Sequence, residues 1–67
     1  MTGNEIRKWL IEEMREQGRS VKETAPKIYV YRHTLADWLH GKSNLPVDGL
    51  IRLLDLLGYE LEIRRRR

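Results

Sequence analysis

Residues 20–42 read SVKETAPKIYVYRHTLADWLHGK, and this stretch decides the fold because it holds two short helical patterns around a tight turn. The first begins at Ser20, whose hydroxyl is typical of a helix N-cap, and Glu23 completes a capping box. The second runs from about Arg32 to His40 and ends before a glycine, the usual C-terminal stop. The pattern therefore predicts a helix-turn-helix over about residues 20–40.

Both helices of this motif have an apolar side that we expect to face the core. In the first helix these positions are Val21, Ala25 and Ile28, and in the second they are Leu35, Trp38 and Leu39. Pro26 is expected to shorten or bend the first helix near its end, because proline lacks the amide hydrogen that a helix interior needs. The outward side of the second helix carries Arg32, His33, Ala36, Asp37 and His40. That face is available for recognition, although a solvated helix surface has the same pattern.

Two further helices are expected to complete the core. One is predicted over about residues 4–17, with Asn4 as its N-cap and Gly18 as its stop. Its apolar positions recur at helical spacing and are Ile6, Trp9, Leu10 and Met14. The other is predicted from Pro46 to Leu57. Its apolar face comprises Leu50, Ile51, Leu53, Leu54 and Leu57.

After Gly58 the apolar period changes from helical spacing to strict alternation. Tyr59, Leu61 and Ile63 alternate with glutamates, which predicts a strand over about residues 59–63. The chain offers no second strand pattern, and an unpaired strand exposes a pairing edge. We therefore expect this strand to pair with its own copy across the two-fold axis of a homodimer. The alternative is a frayed, extended tail that covers the core.

The composition limits the chain to one small domain. It has 67 residues and no cysteine, so it has no disulfide to stabilise a core of marginal size, and oligomerisation is the common remaining way. Two histidines without cysteine do not make an ordinary structural zinc site. No apolar run approaches the roughly 20 residues of a membrane span, and no signal peptide is recognisable, so we expect a cytoplasmic protein.

The net charge of +3 is unevenly distributed. Residues 17–44 carry +3, residues 45–63 carry −3, and the tail of residues 64–67 adds four arginines. A localised basic segment in the middle of the chain indicates contact with a polyanion on one face. The arginine tail has three interpretations that stay open: a disordered solubilising end, a phosphate-binding arm, or an artificial extension.

The block of residues 20–42 resembles the lambda-repressor/Cro-type (XRE-type) helix-turn-helix family. The family's small alanine in the first helix, its valine in the turn and its glycine-lysine loop match Ala25, Val30 and Gly41-Lys42. The run from Arg32 to Trp38 also matches, and the resemblance extends over about residues 6–61. The sequence departs from the family at Tyr29, Thr24 and Pro26, which stand where a turn glycine, a core leucine and a helix former are usual.

The resemblance implies an all-α, four-helix lambda-repressor-like DNA-binding domain, which we place over residues 1–63. The short C-terminal β-strand paired across a dimer, expected from its alternating pattern, belongs to this domain, and residues 64–67 form a basic tail. In this family the second helix of the motif enters the major groove. The residues that would then recognise bases are Arg32, His33, Asp37 and Ala36, with Tyr31 also able to touch a thymine methyl group. The candidates for phosphate contacts are Ser20, Lys22, Tyr31, His40, Lys42 and Asn44. The strand residues Tyr59, Leu61 and Ile63 would form the dimer interface.

The sequence therefore favours a homodimeric transcriptional regulator, a repressor, that binds an inverted repeat in double-stranded DNA. An antitoxin that binds both operator DNA and a toxin protein is the first alternative, and a protein-interaction module that does not bind DNA is the second. His33, Asp37 and His40 share one helical face and could offer metal ligands, but one helix rarely supplies a closed site. We expect no cofactor and no enzymatic activity, because no nucleophile–base pattern or glycine-rich phosphate loop is present.

Overall fold

The computed structural model describes residues 2–66, and four helices form its framework. They are α1 (Gly3–Glu16), α2 (Val21–Lys27), α3 (Arg32–Leu39) and α4 (Val47–Leu56). The predicted all-α class is confirmed, and within the described residues no helix is long and apolar enough to cross a membrane. Met1 of the predicted domain and Arg67 of the predicted tail lie outside the described residues.

The N-cap of the first helix lies two residues before the predicted one. Thr2, in an extended conformation, is the N-cap, and its hydroxyl oxygen accepts a hydrogen bond from the Glu5 amide at 3.2 Å. The prediction of Asn4 as N-cap is wrong, because Asn4 already lies within the first helical turn. Gln17 caps the other end, and Gly18 follows with a positive φ of 67°, as its predicted role as a stop requires.

The second helix begins as predicted. The Ser20 hydroxyl accepts a hydrogen bond from the Glu23 amide at 3.1 Å, which confirms the N-cap. The Glu23 carboxylate lies 3.6 Å from a guanidinium nitrogen of Arg19 and 3.8 Å from the Lys27 ammonium. Helix α2 ends one residue after Pro26, so it is short, as the proline predicts.

The turn between α2 and α3 passes through a left-handed residue, Tyr29, whose φ is +58°. This conformation costs a residue with a Cβ roughly 1–2 kcal/mol. Arg52 from α4 stabilises the turn, because its guanidinium donates a hydrogen bond to the Ile28 carbonyl at 3.3 Å. The same guanidinium lies 5.1 Å from the centroid of the Tyr29 ring, a cation–π contact of about 0.5–1 kcal/mol at an exposed site.

The core lies where the four helices meet. Its buried apolar side chains are Leu10, Met14, Ala25, Ile28, Leu35, Leu53 and Leu57. Trp9 and Trp38, predicted as core, lie at its edge and are partly buried. Ile51 was predicted on the buried face of α4, and that prediction is wrong because its side chain is 41% exposed.

Helix α4 closely approaches the turn between α2 and α3 at a glycine, Gly49. Gly49 is buried, and a Cβ built on it would lie 2.9 Å from a methyl carbon of Val30. The absence of a side chain at residue 49 therefore lets α4 pack directly on the turn that precedes α3.

The segment after α4 has no regular secondary structure in the described chain. The Tyr59 ring packs against Trp9, whereas Leu61 and Ile63 are 54% and 88% exposed. No strand is formed within residues 2–66, so the predicted strand over residues 59–63 and its pairing across a dimer stay predictions. Arg64 forms an ion pair with Glu62, with 3.0 Å between nitrogen and oxygen.

Candidate nucleic-acid interface

Helix α3 presents the predicted recognition residues because its opposite side is fixed in the core. Leu35 is completely buried, and its neighbours Trp38 and Leu39 pack partly buried against the same cluster. Arg32 and His33, in the first turn of α3, are consequently exposed. Of the remaining predicted residues of this face, Ala36 and Asp37 are partly buried and His40 is exposed. The face is thus exposed at both ends and partly buried between them.

The residue before α3 contributes an aromatic contact to the N-terminal end of this face. Tyr31 is the N-cap, its backbone is extended, and its side chain forms no capping hydrogen bond. Its ring is stacked on the imidazole of His33, with centroids 5.5 Å apart and an angle of 15° between the planes. Both side chains are exposed, so the stacked pair lies at the surface beside Arg32.

The C-terminal end of α3 is held by local hydrogen bonds. The Nδ1 atom of His40 lies 2.7 Å from the Ala36 carbonyl oxygen, and the Lys42 amide donates to the Asp37 carbonyl at 2.8 Å. Since a carbonyl only accepts, Nδ1 of His40 is the donor in this contact. His33, Asp37 and His40 do not form a three-ligand cluster in the part of the chain that the structure describes.

A cleft of about 380 Å³ separates the start of α1 from the loop that follows α3. Its lining contains no acidic side chain and comprises Gly3, Asn4, Arg7, Trp38, Gly41, Lys42, Ser43 and Asn44. The two predicted phosphate-contact residues of this loop, Lys42 and Asn44, are therefore brought together with Arg7. Two cations beside amide and hydroxyl groups make this cleft suitable for an anion.

Arg7 is the residue of this cleft that the sequence analysis missed. Its guanidinium lies against the turn after α3, since a Cβ built on Gly41 would be 2.9 Å from one of its terminal nitrogens. A signal was present, because Arg7 occupies the same helical stripe as the buried residues Leu10 and Met14. A cation on the core-facing side of a helix indicates that its charged group contacts a neighbouring segment of the chain or a ligand rather than bulk water alone.

The basic side chains of the candidate nucleic-acid interface form no ion pairs with acidic side chains of the described chain. Among residues 2–66, Arg7, Lys22, Arg32 and Lys42 form no ion pair, a property that they share with Lys8, Arg15, Arg52, Arg65 and Arg66. At the start of α2, Ser20 and Lys22 are exposed. The Ser20 oxygen accepts from a backbone amide, so its own hydrogen can still be donated to an external oxygen.

No protein-family model matches the chain, and neither a curated protein nor a solved structure showed significant similarity to it.

Proposed function

We propose that the protein binds double-stranded DNA in a sequence-specific manner and acts as a homodimeric transcriptional regulator, a repressor. The observation that carries this proposal is the geometry at the start of α3, where Arg32 and His33 are exposed above the completely buried Leu35. Helix α3 follows α2 across a turn that is closed by Tyr29 in the left-handed conformation. In a helix-turn-helix protein this end of the second helix contacts base edges in the major groove.

The side chains on this face have the chemistry that base edges require. Arg32 can donate two hydrogen bonds to O6 and N7 of guanine, a pairing that contributes about 1–3 kcal/mol of discrimination. Asp37 can accept a hydrogen bond from N4 of cytosine, and Ala36 can contact the methyl group of thymine. We assign His33 to a neighbouring base, because it lies in the same exposed first turn as Arg32.

Phosphate contacts would fix the position of the protein on the duplex. At the start of α2 these contacts are made by Ser20 and Lys22, and beyond α3 by Lys42 and Asn44, beside which lies Arg7 of α1. The remaining candidates, Tyr31 and His40, lie at the two ends of α3. Contacts of this kind supply affinity and register and do not distinguish base sequences.

Dimerisation would use the segment of residues 59–63. The exposure of Leu61 and Ile63 leaves apolar surface that a second copy can cover. Leu61 also lines two clefts, one of about 310 Å³ against Trp9 and Leu54 and one of about 490 Å³ against Ile51 and Asp55. Pairing across a two-fold axis would place two copies of α3 in successive major grooves, with half-site centres about 34–36 Å apart.

The decisive experiment is selection of bound sequences from a random duplex pool, followed by affinity measurements for wild type and Arg32→Ala. A palindromic consensus that Arg32→Ala weakens by about tenfold or more supports the proposal. Lys8→Ala is the control, because it removes an exposed cation of α1 that does not lie on α3. Failure to enrich any sequence would contradict the proposal and favour a protein-interaction module. Enrichment only in complex with a second protein chain would favour the antitoxin alternative.

The dimer is tested by light scattering of Leu61→Lys, which places a charge in the expected interface and should yield a monomer. Glu62→Gln changes the net charge equally at the adjacent residue and should remain a dimer. A Leu61→Lys protein that stays dimeric would refute this interface.

A further inference from the structure

The stacked pair of Tyr31 and His33 has no structural explanation in the core or in the helix start. Tyr31 is 76% exposed and does not belong to the side chains that pack on the core. It also occupies an N-cap position, where Ser, Thr, Asp or Asn would satisfy a backbone amide and a tyrosine does not. The contact that its ring makes is with His33.

The backbone explains how residues two apart can meet. Within a helix, side chains at i and i+2 point away from each other. Tyr31 precedes α3 and has an extended backbone, with φ −67° and ψ 147°, so its ring can lie parallel to the imidazole in the first turn. The centroid separation of 5.5 Å falls in the range of offset-stacked aromatic pairs.

We propose that Tyr31 is a positioning residue for DNA recognition. Its ring fixes the plane of the His33 imidazole, so that one ring nitrogen donates a hydrogen bond to N7 of a purine in the major groove. An exposed histidine would otherwise lose rotational freedom on binding, and a side chain that is ordered in advance avoids this cost. The inference rests on the proposed function, because it names a specificity element of the same surface.

The stack itself is tested in the free protein by NMR. In the wild type, the ring current of Tyr31 should shift the carbon-bound ring protons of His33 upfield. Tyr31→Phe should keep this shift, and Tyr31→Ser should abolish it. Serine is an effective N-cap, so Tyr31→Ser tests the loss of the ring without weakening the start of α3. Ring protons of His33 that do not change in Tyr31→Ser would overturn the inference.

The positioning role is tested on the selected duplex, at the purine where His33→Ala loses base preference. Replacing that purine by its 7-deaza analogue removes the N7 acceptor. This change should lower the affinity of wild type and of Tyr31→Phe for the duplex by about three- to tenfold. The same replacement should lower the affinity of Tyr31→Ser by less than about twofold, because in this variant no tyrosine ring holds His33 in the donating orientation. Tyr29→Asn is the control, since it removes an equally exposed tyrosine that does not contact His33 and should keep the wild-type penalty.

The outcomes separate this inference from the proposed function. If wild type binds the duplex and Tyr31→Ser keeps the full 7-deaza penalty, the inference is wrong and the proposed function stands. If both Tyr31 variants weaken natural and 7-deaza duplexes equally, the tyrosine acts through a phosphate contact and the positioning role is overturned. If no purine depends on His33, the inference also fails. Absence of any duplex binding by wild type would refute both.

Discussion

The rings of Trp9 and Tyr59 meet edge to face, with centroids 4.7 Å apart and planes inclined at 67°. Trp9 lies on α1 and Tyr59 follows the end of α4, so this contact attaches the start of the C-terminal segment to the first helix. An aromatic pair of this geometry contributes about 0.5–1.5 kcal/mol beyond burial. The predicted dimer segment therefore begins from a fixed position, although Leu61 and Ile63 beyond it are exposed.

The first prediction concerns the pH dependence of stability at this contact. The pKa of Tyr59 is raised above 10.0, first because the Glu13 carboxylate favours the protonated phenol as a hydrogen-bond acceptor, and further because desolvation and the negative charges of Glu13 and Glu16 act in the same direction. At a pH between 10.0 and the folded pKa, the phenol is therefore protonated in the folded protein and ionised in the unfolded chain. Stability should accordingly fall as the pH rises from about 10 through the folded pKa.

Urea unfolding at several pH values on either side of 10.0 measures this effect. Tyr59→Phe should remove its contribution to the alkaline loss of stability, and Glu13→Gln should reduce it. An unchanged alkaline slope in Tyr59→Phe would contradict the assignment.

The second prediction concerns Thr24, which is completely buried and whose hydroxyl has no hydrogen-bond partner within the described residues. An unsatisfied buried hydroxyl costs about 1–3 kcal/mol. Thr24→Val replaces it with a methyl group of similar shape, so the free energy of unfolding should rise by about 1 kcal/mol. Thr34→Val makes the same exchange at a partly buried position of α3 and is the control. A Thr24→Val protein less stable than wild type would show that the hydroxyl has a partner.

The third prediction concerns the packing of Gly49 against Val30. Alanine at residue 49 would gain about 1 kcal/mol of helix propensity, but its Cβ would lie only 2.9 Å from the Val30 methyl carbon. Overpacking costs about 1–3 kcal/mol, so Gly49→Ala should be neutral to destabilising by roughly 2 kcal/mol in chemical denaturation. Val30→Ala in the same chain should recover part of the loss. Gly3→Ala, with open space around the new Cβ, is the control.

Local signals allowed most of the fold to be predicted. The Ser20 cap and the glycines after α1 and α3 act within one turn of their own helix, so pattern alone locates them. The prediction of Asn4 as N-cap is wrong because Thr2, a second residue type that caps helices, lies two positions earlier, and only the backbone conformation decides between them. Ile51 was assigned to the core because the apolar stripe of α4 is wider than the surface that its neighbours cover.

The left-handed turn illustrates both what the sequence can predict and what it cannot. A turn glycine is usual at the position of Tyr29 in the family that the sequence resembles, and Tyr29 has a positive φ, which glycine adopts without strain. The guanidinium that stabilises this turn comes from Arg52, which is distant in sequence, so no local pattern predicts it. The Tyr31–His33 stack likewise depends on the extended backbone at residue 31, which the helical pattern of α3 does not contain.

The last prediction tests Arg7 as a phosphate-binding residue. Each phosphate that a protein neutralises adds about 0.9 to the slope of log affinity against log salt, so Arg7→Gln should lower that slope by about 0.9. The loss should be the same for the selected and for unrelated duplexes, because a phosphate contact does not distinguish sequences. Lys8→Gln removes the same charge from the next residue of α1, whose exposed side chain does not line the cleft, and should leave the slope unchanged. Equal slopes for Arg7→Gln and wild type would show that the guanidinium beside Gly41 serves only to pack α1 on the loop after α3.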